Sequence, residues 1–112
     1  MPGLGTAYGR GGATTFSTDM QNADSILIMG SNMAECHPVA FRWVMQAKTR
    51  AASPAKLIHA DPRFTRTSAM ADLYAPLRAG SDIAFLGALI KYVLDKHAPL
   101  FDKKPEERTP PC

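Results

Sequence analysis

The sequence predicts an α/β fold: a partial doubly wound parallel sheet in the order β-α-β-α-β-α, forming part of a larger domain. Two observations carry this. Short apolar runs at Ser25–Gly30, Lys56–Ala60 and Leu73–Leu77 alternate with helical patterns at 38–50, 64–71 and about 81–96. Strands that alternate with helices pair in parallel through right-handed crossovers. Each apolar run also ends in a short polar loop, the rim of an open parallel sheet where ligands bind. The arrangement is Rossmann-like.

Residues 1–15 hold five of the eight glycines and are expected as loop. Gly9-Arg10-Gly11-Gly12 offers backbone to a phosphate, but no Lys-Ser/Thr follows as in a P-loop, and a flexible lead-in is the plainer reading. Thr18 to Ala23 is expected as a turn or short helix feeding the first strand. Ser25–Gly30 is continuously apolar, which suits a strand covered on both faces. Ser31-Asn32-Met33-Ala34-Glu35-Cys36 then reads as a polar loop leading to a helix from Pro38, where a missing N–H costs nothing. The junction from Ser25 to Pro38 is a strand, a turn and a helix start, a combination that receives anions. Val39, Trp43 and Ala47 fall on one face of that helix, with Ala40 and Val44 beside them. Arg42, Gln46, Lys48 and Arg50 are its polar side, the late cations complementing the helix dipole.

Lys56–Ala60 (KLIHA) is the second strand and ends in Asp61-Pro62-Arg63. A short helix is expected over Phe64 to Ala71. After Leu73–Leu77, Arg78-Ala79-Gly80 turns the chain and Ser81 or Asp82 caps a helix to about Lys96. Ile83, Leu86, Leu89, Ile90, Val93 and Leu94 follow its period. From Pro99 the stretch PLFDKKPEERTPPC has four prolines and six charged residues, so 99–112 is expected as a disordered or truncated tail.

At 112 residues this is one domain at most. Hydrophobic residues make up 46 % and charged residues 21 %, the balance of a globular chain. The net charge of +3 is spread along the sequence, which gives no basic run for nucleic acid. No apolar run approaches the ~20 residues of a membrane span, and MPGLGTAYGRGG has no signal-type apolar segment. Cys36 and Cys112 have no metal-type spacing and are not expected to form a structural disulfide.

The three loops at strand C-termini hold Asn32, Glu35, Asp61, Arg63, Arg66, Ser81 and Asp82. Carboxylates there can accept from a ribose or a guanine edge, and arginines can grip a diphosphate. A dinucleotide-like ligand uses both. Each residue also has a plainer reading. His37 is a cap or packing residue, Cys36 a small buried residue, and His59 a structural residue of a buried strand. Trp43, Met29, Met33, Met45 and Met70 are core candidates, and Asp61-Pro62-Arg63 is also a simple turn. There is no GxGxxG.

GSNMAECHPVAFRWVMQAK, followed by KLIHADPRFTRTSAMADLYAPLRAGSDIAFL, resembles the catalytic α subunit of molybdenum- or tungsten-dependent formate dehydrogenases, of the molybdopterin oxidoreductase superfamily. GLGTAYGRGGATTFSTDMQNADSILIMGSN is similar to the same region, so the resemblance covers residues 2–96. It implies that residues 1–98 are part of an α/β domain binding molybdopterin guanine dinucleotide. Two such cofactors surround one Mo or W in the parent enzyme, which oxidises formate to CO2 and passes electrons to an iron–sulfur cluster. By motif, Asn32, Glu35 and Cys36 match the first binding loop. Ala60, Asp61, Pro62 and Arg63 match the second, and Leu77, Ala79, Gly80, Ser81 and Asp82 the third. Many relatives carry Ala or Ser at position 36, which argues against a catalytic cysteine. No catalytic residue or metal ligand is expected here. The implied partners are the remainder of the α subunit and an iron–sulfur electron-transfer subunit. The parent is periplasmic or cytoplasmic, and the compartment stays open.

In that family a cysteine or selenocysteine followed by histidine binds the metal just before the segment equivalent to Pro2-Gly3-Leu4-Gly5. Alone, the chain is therefore expected not to catalyse. The rival readings are a free-standing α/β nucleotide-binding or interaction module, and another molybdopterin oxidoreductase such as a nitrate reductase. Because selenocysteine uses a codon normally read as stop, a reading frame restarted downstream would open as this chain does. Sequencing the upstream DNA is then expected to show an in-frame TGA followed by a histidine codon. An unrelated upstream frame would contradict this.

Overall fold

The computed structural model describes residues 2–9 and 15–101, and divides between Pro76 and Leu77 into two compact units. The first unit holds α1 (Pro2–Tyr8), a 3-10 helix (Ser17–Asn22), β1 (Ser25–Met29), α2 (Met33–Cys36), α3 (Pro38–Lys48), β2 (Lys56–Ala60), α4 (Arg66–Met70) and β3 (Leu73–Ala75). The second holds α5 (Asp82–Phe101). The three strands form one parallel sheet in the order β1-β2-β3, with Ile28 opposite His59 and His59 opposite Tyr74. The expected β-α-β-α-β-α order and parallel pairing are therefore present.

The glycine-rich start is a correction. Residues 2–8 form a helix where loop was expected. Two glycines inside a helix cost roughly 1 kcal/mol each against alanine, but Pro2 is tolerated in a first turn. Gly9, at φ +85°, ends the helix, and its N–H donates to the Gly5 carbonyl at 3.2 Å. Past Gly9, the phosphate contact expected of Arg10, Gly11 and Gly12 lies outside the described residues.

Sheet pleating sends alternate residues to opposite faces. Ile26, Ile28, Leu57 and His59 share one face by register. On it Ile28 and Leu57 pack with Phe41 and Val44 of α3, bordered by Met20, Met33 and Met45. Leu57 is 1 % exposed, and burying such a side chain contributes about 1.5–3 kcal/mol. The helix stripe is thus Phe41, Val44 and Ala47 rather than Val39, Trp43 and Ala47. Val39 is 72 % exposed, and Trp43 receives the Arg42 guanidinium 4.4 Å from its ring centroid. Nor is β1 covered on both faces, because Leu27 on the other side is 45 % exposed. Of the core methionines expected, Met70 is also exposed.

Gly30 ends β1 at φ +60°, a left-handed turn that favours glycine. Its N–H continues the ladder to the Ala60 carbonyl at 3.0 Å. The expected polar loop 31–36 contains the one-turn helix α2, and β3 stops at Ala75 instead of Leu77. In the second unit, α5 continues past Lys96 to Phe101; the tail expected over 99–112 lies, from 102 on, outside the described residues. Among the described residues no helix is long and apolar enough to cross a membrane.

Asp72 joins three elements on the side of the sheet away from the rim. Its carboxylate accepts the Leu57 N–H at 2.8 Å and pairs with Lys48 at 3.2 Å. Lys48 also donates to the Met70 carbonyl. The Leu57 N–H, helped by the charges of Lys48 and Lys56 and opposed by partial desolvation, holds the Asp72 carboxyl below its ordinary 3.8. A depressed folded-state pKa adds stability above the unfolded value, and that stability is lost as pH falls through the folded one. Urea unfolding from pH 6 down to pH 3 is expected to show Asp72→Asn losing less stability than wild type. Equal losses would remove Asp72 from this role.

Candidate functional site

The loops after β1 and β2 meet at the carboxyl edge of the sheet. Between them lies an open hollow of about 450 Å3 lined by Asn32, Glu35, Arg63, Phe64, Thr65, Arg66 and Ala69. Its floor is set by backbone chemistry. Asp61 Oδ1 accepts the Arg63 N–H at 2.7 Å, closing the turn expected of Asp-Pro. The Asp61 carbonyl accepts the Tyr74 hydroxyl at 2.9 Å, and Tyr74 meets Phe64 edge-on at 5.2 Å between ring centroids. The second loop is therefore braced from β3.

The short α4 begins with a capping box over Thr65-Arg66-Thr67-Ser68, in which the Thr65 N–H donates to Ser68 Oγ at 2.8 Å. Thr67, without solvent exposure, faces the first loop. Its hydroxyl accepts the Ala34 N–H at 3.0 Å and donates to Asn32 Oδ1 at 3.1 Å. The Asn32 amide in turn donates to Glu35, whose other oxygen pairs with Arg66 Nε at 2.9 Å. Arg66 is exposed, and the Arg63 side chain pairs with no carboxylate among the described residues. Both arginines line the hollow and keep guanidinium donors to spare, as bidentate recognition of an anion requires.

Of the site residues read from sequence, the structure brings Asn32, Glu35 and Arg63 to one hollow. Ala60 is buried as the last residue of β2, and the Asp61 side chain is 13 % exposed, turned into its own loop. Cys36 differs from its expectation as a buried residue: it is exposed. With His37, Val39 and Trp43 it lines a separate hollow at the start of α3. Because α2 intervenes, the first hollow meets α2 and α4 rather than the start of α3. Leu77, Ala79, Gly80, Ser81 and Asp82 belong to the second unit. There the Ser81 N–H and hydroxyl both donate to the Arg78 carbonyl, at 3.0 and 2.6 Å, and the chain enters α5.

Sequence reasoning missed Phe64, Thr65 and Thr67. The Thr-x-x-Ser capping signature over 65–68 was available to flag the first turn of α4. Nothing local marks Thr67 as a partner for residues more than thirty positions away.

The carboxyl edge of the parallel sheet thus carries polar loops, two arginines and a hydrogen-bonded carboxylate around one hollow. Residues 4–99 match the family described as molybdopterin oxidoreductase, and the chain belongs to that family. The match implies a molybdopterin cofactor. Over 93 residues the chain is 58 % identical to the formate dehydrogenase subunit alpha of Megalodesulfovibrio gigas, covering 83 % of this chain and 9 % of that protein. It is 52 % identical over 92 residues to the formate dehydrogenase-O major subunit of Escherichia coli K12, covering 82 % of this chain and 9 % of that one. It is 41 % identical over 95 residues to the F420-dependent formate dehydrogenase 1 subunit alpha of Methanococcus maripaludis, covering 85 % and 14 %. The chain therefore spans about a tenth of these relatives, whose names mark them as subunits. The resemblance to formate dehydrogenase catalytic subunits holds.

Replacing Thr67 by valine keeps shape but leaves the Ala34 N–H and Asn32 Oδ1 without their partner. Thr67→Val is expected to cost about 1–3 kcal/mol in urea unfolding and to speed hydrogen exchange at Ala34. Unchanged exchange at Ala34 would show that the hydroxyl does not hold α2.

Proposed function

We propose that this chain forms part of the cofactor-binding wall of a formate dehydrogenase catalytic subunit, receiving the guanine dinucleotide portion of a molybdopterin guanine dinucleotide. The observation that carries the reading is the convergence of Arg63 and Arg66 with Asn32 and Glu35 at one hollow. The donor set fits the group: two guanidiniums suit a diphosphate, and an oriented carboxylate suits the N–H groups of a guanine edge. Ala60, Asp61 and Pro62 shape the second loop, and Cys36 closes α2 behind the first. Leu77, Ala79, Gly80, Ser81 and Asp82 supply a third contact loop. Residues 1–98 would then belong to one larger α/β domain.

In the whole enzyme, the cofactor pair with its Mo or W supplies the two-electron redox chemistry by which formate becomes CO2. In the parent enzyme an iron–sulfur cluster and an electron-transfer subunit would take up the electrons, and the remainder of the α subunit would complete the site. This chain's own residues bind and orient one cofactor end, and no proton transfer is assigned to them.

Calorimetric titration of the full chain with GDP, and with ADP as control, tests this reading. GDP is expected to bind more tightly than ADP. Arg63→Ala and Arg66→Ala are each expected to weaken GDP about tenfold, near 1.4 kcal/mol, and Glu35→Gln is expected to reduce the preference for GDP over ADP. Equal, arginine-independent binding of the two nucleotides, or none, would overturn the assignment.

A further inference from the structure

His59 is a buried imidazole to which the proposed function gives no part. It lies in β2 without solvent exposure, one residue before the second loop. Its Nδ1 is 2.8 Å from Ser68 Oγ in α4, and its Nε2 is 3.2 Å from the Ser31 carbonyl in the first loop. The other groups facing it are the Asp61 carboxylate, 4.0 Å from Nε2, and the Tyr74 ring, 6.2 Å away between centroids.

The partners determine where the proton sits. A carbonyl oxygen only accepts, so Nε2 carries the hydrogen. Ser68 Oγ accepts the Thr65 N–H and stands 3.4 Å from Thr65 Oγ1; its hydrogen is best placed on the closer Nδ1, at 2.8 Å. The bonds then run one way, from the Thr65 N–H through Ser68 and His59 to the Ser31 carbonyl. Aligned bonds of this kind polarise one another, and among the described residues no buried side-chain polar atom lacks a partner.

We infer that His59 is the positioning residue of the rim: as the neutral Nε2–H tautomer it ties the first loop at Ser31 to α4 at Ser68. Ser31 immediately precedes Asn32, and Thr65 and Arg66 open α4, so both walls of the hollow are referenced to one ring in the core strand. A residue of the same volume without ring nitrogens would fill the space and release both walls. The consequence for ligand binding rests on the reading of the hollow as a guanine dinucleotide site. The tautomer and the bridge stand independently of it.

The test uses the full chain labelled with 15N. Long-range 1H–15N correlation spectra at pH 7 are expected to show His59 with a protonated Nε2 and a bare Nδ1. An Nδ1–H tautomer, an imidazolium or an averaged pair would overturn the inference. In His59→Leu, amide signals of Ser31, Asn32 and Ser68 are expected to move while those of Val44 and Ala47 stay, and GDP affinity to fall about tenfold or more. In His59→Gln, whose amide N–H reaches as far as Nε2, the Ser31 signal and most GDP affinity are expected to return. Wild-type behaviour of His59→Leu, or failure of glutamine to restore anything, would overturn the positioning role. If His59→Leu unfolds, the wild-type tautomer and His59→Gln decide. If wild type binds no GDP, the proposed function fails, while the tautomer and the Ser31 signal still decide the bridge.

Discussion

The carboxyl edge of this sheet depends on one arrangement: polar side chains buried between α4 and the first loop. Thr67 and Ser68 are adjacent in sequence and both lack meaningful exposure. Thr67 reaches Asn32 and Ala34 directly, and Ser68 reaches Ser31 through the imidazole of His59. Buried polar groups are expensive unless every donor finds an acceptor. A network with all partners supplied therefore specifies one geometry, because slipping either loop would leave several groups unpaired at once. Packing alone would not do this, because burial of the apolar cluster of Ile28, Phe41, Val44 and Leu57 is non-directional.

The same network explains how charges come to face the hollow. Glu35 is oriented from one side by the Asn32 amide and from the other by Arg66. An exposed ion pair of this kind contributes little to stability. Its value is positional: it holds a carboxylate and a guanidinium side by side, an acceptor next to a cation. Phe64, braced by Tyr74, forms the apolar wall of the same hollow.

What could be read from sequence followed the period of the pattern. The strand runs at 25–29 and 56–60, their parallel pairing and the placement of Asn32, Glu35 and Arg63 at one edge were legible, because apolar runs ending in polar loops leave few topologies. The face of α3 was not. Val39, Trp43 and Ala47 and the observed Phe41, Val44 and Ala47 both fit a helical stripe, and only the position of the sheet chooses between them. The helix at Pro2–Tyr8 was hidden by Gly3 and Gly5, which signal loop in isolation. Thr67 was invisible because its partners are distant in the chain. Cys36 was misread because one-turn α2 turns it out to solvent beside Val39 and Trp43.

The central claim is that the hollow between the first and second loops receives a guanine nucleotide group. Amide and side-chain chemical-shift mapping of the labelled full chain during addition of GDP tests it most directly. The account predicts saturable shifts at Asn32, Glu35, Arg63, Phe64 and Arg66, with little change at Val39 and Trp43. Shifts concentrated at Cys36, His37, Val39 and Trp43, or no saturable shift at any residue, would contradict it.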